Sequence, residues 1–371
     1  MIYFLVNNNF HLIDAEKHLV ELDNYPCGLI KIPHQLTLKP SELFKQQFEF
    51  PQLISRLKDH FKIFRILSIL KSIRIKLKNI NKGDVLIIYT EYEYLNHYVV
   101  KLFKKKGARI VIIEEGIPTY ISFTTIPEPI KELKKKVLIY YLKIIIGIRK
   151  STIVNINGIA SSRMSDNQFE KILLYSDLKI NRKIPMGLLQ TKKITFDNLD
   201  DNTVLYLNEN IYDLHCTMEK YLEIIEIILE NLTQQFEKVY FKFHPREKEF
   251  GVSECKKIIN NYPKVSIIEE KTPVELMIEI IGAKSVVSFG AQTLLYLSNS
   301  NCKCIYIMHL FPELLKDKEI SNMKTIIDKM SYTFLSNWDN IRNPLVGFKP
   351  QNQSRRYKLK THLNNFINTN Q

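Results

Sequence analysis

Three short stretches of this sequence carry side chains whose types and spacing could do chemistry. Glu114-Glu115-Gly116 follows the apolar run Arg109 to Ile113, so two carboxylates stand where a buried strand should end. Two like charges side by side push one pKa upward, which suits a general base taking a proton from a sugar hydroxyl. Gly116 lets the backbone turn tightly or approach a substrate closely; the plain alternative is a solvated turn with two surface acids. In Lys242-Phe243-His244-Pro245-Arg246, Pro245 ends ladder hydrogen bonding and aims the His244 imidazole. Beside a leaving phosphate that ring could donate a hydrogen bond or a proton, with Arg246 or Lys242 adding positive charge. The third stretch is Glu275 within PVELM, together with Ser288 to Leu295. Glu275 could accept hydrogen bonds from ribose hydroxyls, and Thr293 with the amides opening a helix at Gln292 could bind an anion. Gly290 would permit close approach there, while helix capping is the ordinary role for Glu275 and Thr293.

The surrounding pattern supplies elements to position these groups. Apolar runs at MIYFLVN, GLIKIP, DVLIIYT and RIVII do not alternate with polar residues, as expected of parallel strands covered on both faces. A helix is predicted over Tyr94 to Lys105, and TIVNING at 152 to 158 reads as another strand. Leu189 to Thr203 is polar and acidic, a composition that suits an interdomain linker. A second alternation follows: strands at VLYLN, KVYFKF, VSII, SVVSF and KCIYIM, with helices predicted at Thr217 to Leu232, Pro273 to Ile281 and Gln292 to Leu297. On the first of these helices Met218, Leu222, Ile225, Leu229 and Leu232 share a face. The expectation is an α/β protein of two domains, residues 1–190 and 203–371, with the C-terminal tail able to pack back on the first.

The order of the motifs resembles that of bacterial sialyltransferases. An acidic pair with Gly lies in the first half and an HP dipeptide in the second; a glutamate in a PxE context and a hydroxyl residue near FGAQTLLY come after them. That group includes lipooligosaccharide sialyltransferases and capsular polysialyltransferases, and KFHPRE is most similar to the former. The resemblance implies a GT-B fold, two Rossmann-like domains with parallel sheets facing a central cleft. It also implies metal-independent, inverting transfer from CMP-sialic acid, with no cofactor. By residue, it implies that Glu115, or failing that Glu114, deprotonates the acceptor and that His244 contacts or protonates the CMP phosphate. Glu275 matches the glutamate that holds the ribose, and Gln292 and Thr293 fall where a Ser/Thr pair binds the phosphate. Gly116, Pro245, Arg246 and Gly290 belong to the same substrate-binding motifs. Gln292 departs from the pattern, leaving one hydroxyl unaccounted for, and the acidic pair is Glu-Glu where related enzymes often carry an Asp.

Composition narrows the alternatives. With 371 residues, 45% hydrophobic and 25% charged, the chain is long enough for two cores and is neither disordered nor fibrous. A formal charge of +14 favours anionic partners. No zinc finger, RNP-like signature or helix-turn-helix pattern supports nucleic acid, and GxGxxG, P-loop and GxSxG motifs are missing. Five sparse cysteines without paired CxxC spacing read as reduced thiols in a cytosol, and DNLDD at 197–201 reads as linker and not as a metal site. The N-terminus reads as a first strand without a signal peptide. The basic, apolar stretches 61–82 and 131–150, the latter with Lys134, Lys135 and Lys136, suit peripheral attachment to an anionic inner-membrane surface. The expected partners are therefore a CMP-sugar donor, a glycan or glycolipid acceptor and that surface. His11 and the other histidines outside the HP motif read as core or surface residues. The rivals are a CDP-glycerol or Kdo transferase of envelope synthesis, and a non-catalytic basic protein binding membranes or polyanions.

Overall fold

The apolar runs form the strands. β1 (Ile2–Asn8), β2 (Cys27–Gln35), β3 (Gln46–Glu49), β4 (Val85–Ile88) and β5 (Arg109–Ile113) alternate with helices at Asn9–Leu19, Ile63–Lys76 and Tyr94–Lys105. A computed structural model describes residues 1–52, 63–120, 137, 140–141, 143–147, 151–156, 159–176, 178, 180–190, 194–213, 215–245, 247–268, 272–291, 293–297, 300–329, 333–335, 337–342 and 355–367. β4 is buried at every position, and Phe4, Leu5 and Val6 of β1 are fully buried, as strands covered on both faces must be. Each such side chain contributes about 1.5–3 kcal/mol relative to exposure.

Beyond β5 come β6 (Ser151–Ile156), β7 (Ile159–Met164), β8 (Lys171–Leu174) and β9 (Met186–Leu188). The first large sheet is parallel, in the order β3-β2-β1-β4-β5-β8-β9. The stretch 152–158 departs from the expected alternation, because β6 pairs antiparallel with β7 in a separate two-stranded sheet. The pairing runs from Ser151 opposite Met164 to Ile156 opposite Ile159.

The second sheet is also parallel. It contains β10 (Asp200–Leu207), β11 (Lys238–Lys242), β12 (Val265–Ile268), β13 (Ala283–Ser288), β14 (Lys303–Tyr306) and β15 (Thr333–Phe334), in the order β12-β11-β10-β13-β14-β15. β10 starts inside the polar stretch that reads as linker: Asp200 pairs with Ala283, and its carboxylate accepts the Thr203 hydroxyl at 2.6 Å. The helix Met218–Gln235 is capped by Thr217, whose side chain accepts the Lys220 N–H. Its buried stripe is Tyr221, Ile224, Ile225, Ile228, Leu229 and Leu232. That face is turned from the expected one, as Tyr221 packs inward and its hydroxyl accepts a 2.6 Å hydrogen bond from Asn208 Nδ2.

Packing divides the chain into two units, Met1–Gln190 with Ser354–Gln371, and Thr191–Gln353. The helix Leu359–Ile367 belongs to the first: Leu359 and Leu363 lie in the same core cluster as Phe4, Val6, Leu12 and Ile113. The Leu359 N–H donates to Glu21 at 3.2 Å, and His362 Nε2 lies 2.8 Å from the Leu188 carbonyl. In each sheet the strand order reverses beside the central strand, between β1 and β4 and between β10 and β13. Such reversals place ligand-binding loops at the carboxyl ends of the strands. All five cysteines are free thiols. Among the described residues, no helix is long and apolar enough to cross a membrane.

Candidate functional site

In the first unit the carboxyl ends of β1, β4 and β5 are tied together by polar side chains. Asn7, the penultimate residue of β1, donates from Nδ2 to the Ile32 carbonyl at 3.0 Å and receives Asn96 Nδ2 at 2.9 Å. Asn96, on the helix Tyr94–Lys105, also donates to the Thr90 carbonyl at 2.9 Å. Asn8 caps the helix Asn9–Leu19 by accepting the His11 N–H at 2.9 Å. His11 is thereby carried to the strand ends, fully buried, with its ring stacked on Tyr89 at 4.8 Å.

The acidic pair follows β5, and its two members have different surroundings. Glu114 is 4% exposed; it accepts the Tyr175 N–H at 2.7 Å and the Tyr120 hydroxyl. Burial outweighs these hydrogen bonds and lifts the Glu114 carboxyl to about 7. Glu115 keeps 26% of its side chain exposed, and its Oε1 lies 3.2 Å from His11 Nε2. The Glu115 N–H donates to Thr119 Oγ1 at 3.2 Å, and the Thr119 N–H returns to the Gly116 carbonyl at 2.9 Å. Gly116 has φ 108°, a conformation in which a side chain would be strained, so the glycine is what allows the turn that separates the two carboxylates from the rest of the loop. Chemically, Glu114 is a buried group holding the loop to the β8 exit, while Glu115 is the carboxylate of the pair that solvent reaches.

In the second unit, His244 follows β11, is half-buried, and accepts the Glu247 N–H on its carbonyl at 2.9 Å. Pro245 is exposed beside it, and Arg246 lies outside the described residues. Glu275 stands in the first turn of the helix Val274–Ile281, half-buried. A Cβ at Gly290 would come within 2.6 Å of Met323 Cε and 2.9 Å of Met308 Cε, the far ends of two flexible side chains that would have to shift. Ser288 is fully buried, its hydroxyl donating to the Leu207 carbonyl at 2.9 Å and accepting the Ala291 N–H at 3.1 Å. Thr293 opens the short helix Thr293–Leu297, and Gln292 before it lies outside the described residues.

The sequence placed His11 among core or surface residues and did not single out Glu209. Glu209 follows β10, accepts the Gly290 N–H, and its carboxyl is pushed up to about 7 by burial. Its Oε2 is out of water and has no hydrogen-bond partner among the described residues. The missing signal was similar in both places: a polar run, Asn7-Asn8-Asn9 at the end of β1 or Asn208-Glu209-Asn210 directly after β10, beside the point where each sheet's strand order reverses.

Among solved structures the chain is similar to MurG of Acinetobacter baumannii, at 8% identity and TM-score 0.42, over 92% of this chain and 88% of that one. It is similar to WaaG, a glycosyltransferase involved in lipopolysaccharide biosynthesis, at 9% identity and TM-score 0.49, over 92% and 88%. A putative UDP-N-acetylglucosamine 2-epimerase of Listeria monocytogenes matches at 8% identity and TM-score 0.49, over 94% and 92%. No curated protein matches the sequence. The family model for alpha-2,8-polysialyltransferase matches residues 40–307, well over half of the chain and inclusive of both the acidic pair and the HP dipeptide. By that match the chain, built on two parallel sheets, belongs to the alpha-2,8-polysialyltransferase family and is a glycosyltransferase.

Proposed function

We propose that the chain is an inverting, metal-independent transferase that moves sialic acid, or a related nonulosonate, from its CMP donor to a hydroxyl of a surface-glycan acceptor. The observation that carries this reading is the unequal pair at the end of β5: one carboxylate is sealed in and close to neutral, and its neighbour is open to an incoming hydroxyl. In this reading Glu115 takes the acceptor proton as the acceptor oxygen bonds to the anomeric carbon. The bond from that carbon to the phosphate oxygen breaks, its electron pair leaving with CMP. His244 meets the charge gathering on the phosphate with a hydrogen bond or a proton, helped by Thr293 and Arg246. Glu275 holds the ribose, and Pro245 keeps the imidazole aimed. Attack opposite the leaving group inverts the anomeric centre.

CMP release measured with CMP-sialic acid, CMP-Kdo and CDP-glycerol as competing donors tests the donor class. Turnover is expected with CMP-sialic acid or a close CMP-nonulosonate; turnover with CDP-glycerol alone would overturn the reading.

Peripheral attachment to the inner membrane face belongs to the same proposal. The helix Ile63–Lys76 buries Ile66, Ile69, Leu70 and Ile73. Its outer face carries Phe64, 85% exposed, with Leu67 and Ile75 exposed beside the basic Lys71 and Arg74. Exposed apolar groups among cations suit an anionic lipid surface. Sedimentation with vesicles containing phosphatidylglycerol is expected to carry the protein down, less so in high salt and less for Phe64→Glu. Equal sedimentation with neutral vesicles would remove this part of the proposal. Most of the other basic stretch, 131–150, including Lys134, Lys135 and Lys136, lies outside the described residues.

A further inference from the structure

We infer that His11 is a positioning residue that holds the Glu115 carboxylate in the orientation that receives the acceptor proton, an inference that rests on Glu115 being the general base. His11 Nε2 lies 3.2 Å from Glu115 Oε1, and the ring is fully buried, so it acts on chemistry only through that carboxylate. Its other nitrogen is already committed: Nδ1 accepts the Asn7 backbone N–H at 3.2 Å. An acceptor at Nδ1 places the ring proton on Nε2, where it donates to the carboxylate; the Asn8 side-chain nitrogen approaches Nε2 at 3.3 Å. With both nitrogens engaged the ring is a fixed donor and not a proton relay.

Three further contacts fix the ring itself. The helix cap from Asn8 holds its backbone, Tyr89 stacks on one face at an interplanar angle of 10°, and Phe10 packs edge-on at 5.9 Å. Among the described residues, the charged and titratable groups around Glu115 include Glu114 before it, His11, and Tyr92 after β4, a hydroxyl that feels the charges of Glu91 and Glu115. Glu91 is itself held by Arg182 at 2.6 Å and Arg163 at 3.2 Å. The Nε2–H pins one oxygen, which preorganises the base without neutralising it.

Two substitutions separate this role from a purely structural one. His11→Asn retains an acceptor near the Nδ1 position for the Asn7 N–H but does not reach Glu115. His11→Gln places an amide N–H near the Nε2 position and gives up the Asn7 contact. With CMP release from CMP-sialic acid as the assay, His11→Asn is expected to lose about 100-fold in kcat, the scale of a misplaced catalytic group, with little change in KM. His11→Gln should retain most of the kcat.

A structural role predicts the reverse: His11→Gln melts lower and turns over more slowly, and His11→Asn keeps its kcat. That outcome overturns the inference. Activity lost in Glu115→Gln but kept in His11→Asn overturns it while leaving the base assignment standing. Full activity in Glu115→Gln overturns the base assignment, and this inference with it.

Discussion

Glu115→Gln is expected to lower turnover by about 100- to 10,000-fold, the usual contribution of a general base. The substitution is nearly isosteric, and the amide oxygen can still accept from His11 Nε2 at the place now held by Oε1. The loop also keeps its other anchors, the Glu115 N–H to Thr119 and the Thr119 N–H to Gly116, since both are made by groups the substitution leaves alone. What disappears is basicity. Donor affinity, followed by CMP titration calorimetry, should stay within a small factor of the parent. Glu114→Gln supplies the contrast: its carboxyl is already lifted to about 7 by burial and its Oε2 accepts from both Tyr120 and Tyr175, so turnover should fall far less. If Glu114→Gln is silent in catalysis and Glu115→Gln is too, the base lies elsewhere; if only Glu114→Gln is inactive, the two roles are exchanged.

His244→Ala is the second large effect, expected at about 100- to 1,000-fold in kcat, the cost of removing one preorganised donor to developing charge. Its position after β11 is set by the strand and by the turn in which its carbonyl accepts the Glu247 N–H, a bond that alanine retains. The loss should therefore appear in turnover with the fold intact, and weaker CMP binding should accompany it. The double variant Glu115→Gln/His244→Ala is the sharper measurement. Groups that serve one reaction are strongly non-additive, so the double loss should fall short of the product of the single losses. Fully multiplicative losses would mean that the two side chains serve separate steps.

Much of the scaffold was legible because its elements obey simple periodicities. The helix Tyr94–Lys105 and the strands Arg109–Ile113 and Val265–Ile268 have the bounds read from the sequence, since in each the apolar pattern starts and stops sharply. β8 and β9, Lys171–Leu174 and Met186–Leu188, have no counterpart among the strands expected from the sequence, yet they extend the first sheet. The strand expected at 152–158 is one arm of the antiparallel pair β6–β7, a partnership that an apolar run alone does not reveal. At the site, sequence supplied the titratable groups but not their inequality. That Glu114 is buried and Glu115 is not depends on Tyr120 and on Tyr175 beyond β8, 61 residues away in the chain for the latter. His11 could not be connected to Glu115 from spacing alone, because the link is made through neighbouring parallel strands.

The return of Leu359–Ile367 to the first unit has a consequence for synthesis. The whole of Thr191–Gln353 is spliced into the first unit between its β9 and its last helix. A nascent chain emerging from the ribosome in order can complete the second sheet while the first still lacks Leu359 and Leu363, two plugs of its apolar interior. The unit that begins first is sealed last, and for that interval it must be shielded by whatever attends the growing chain.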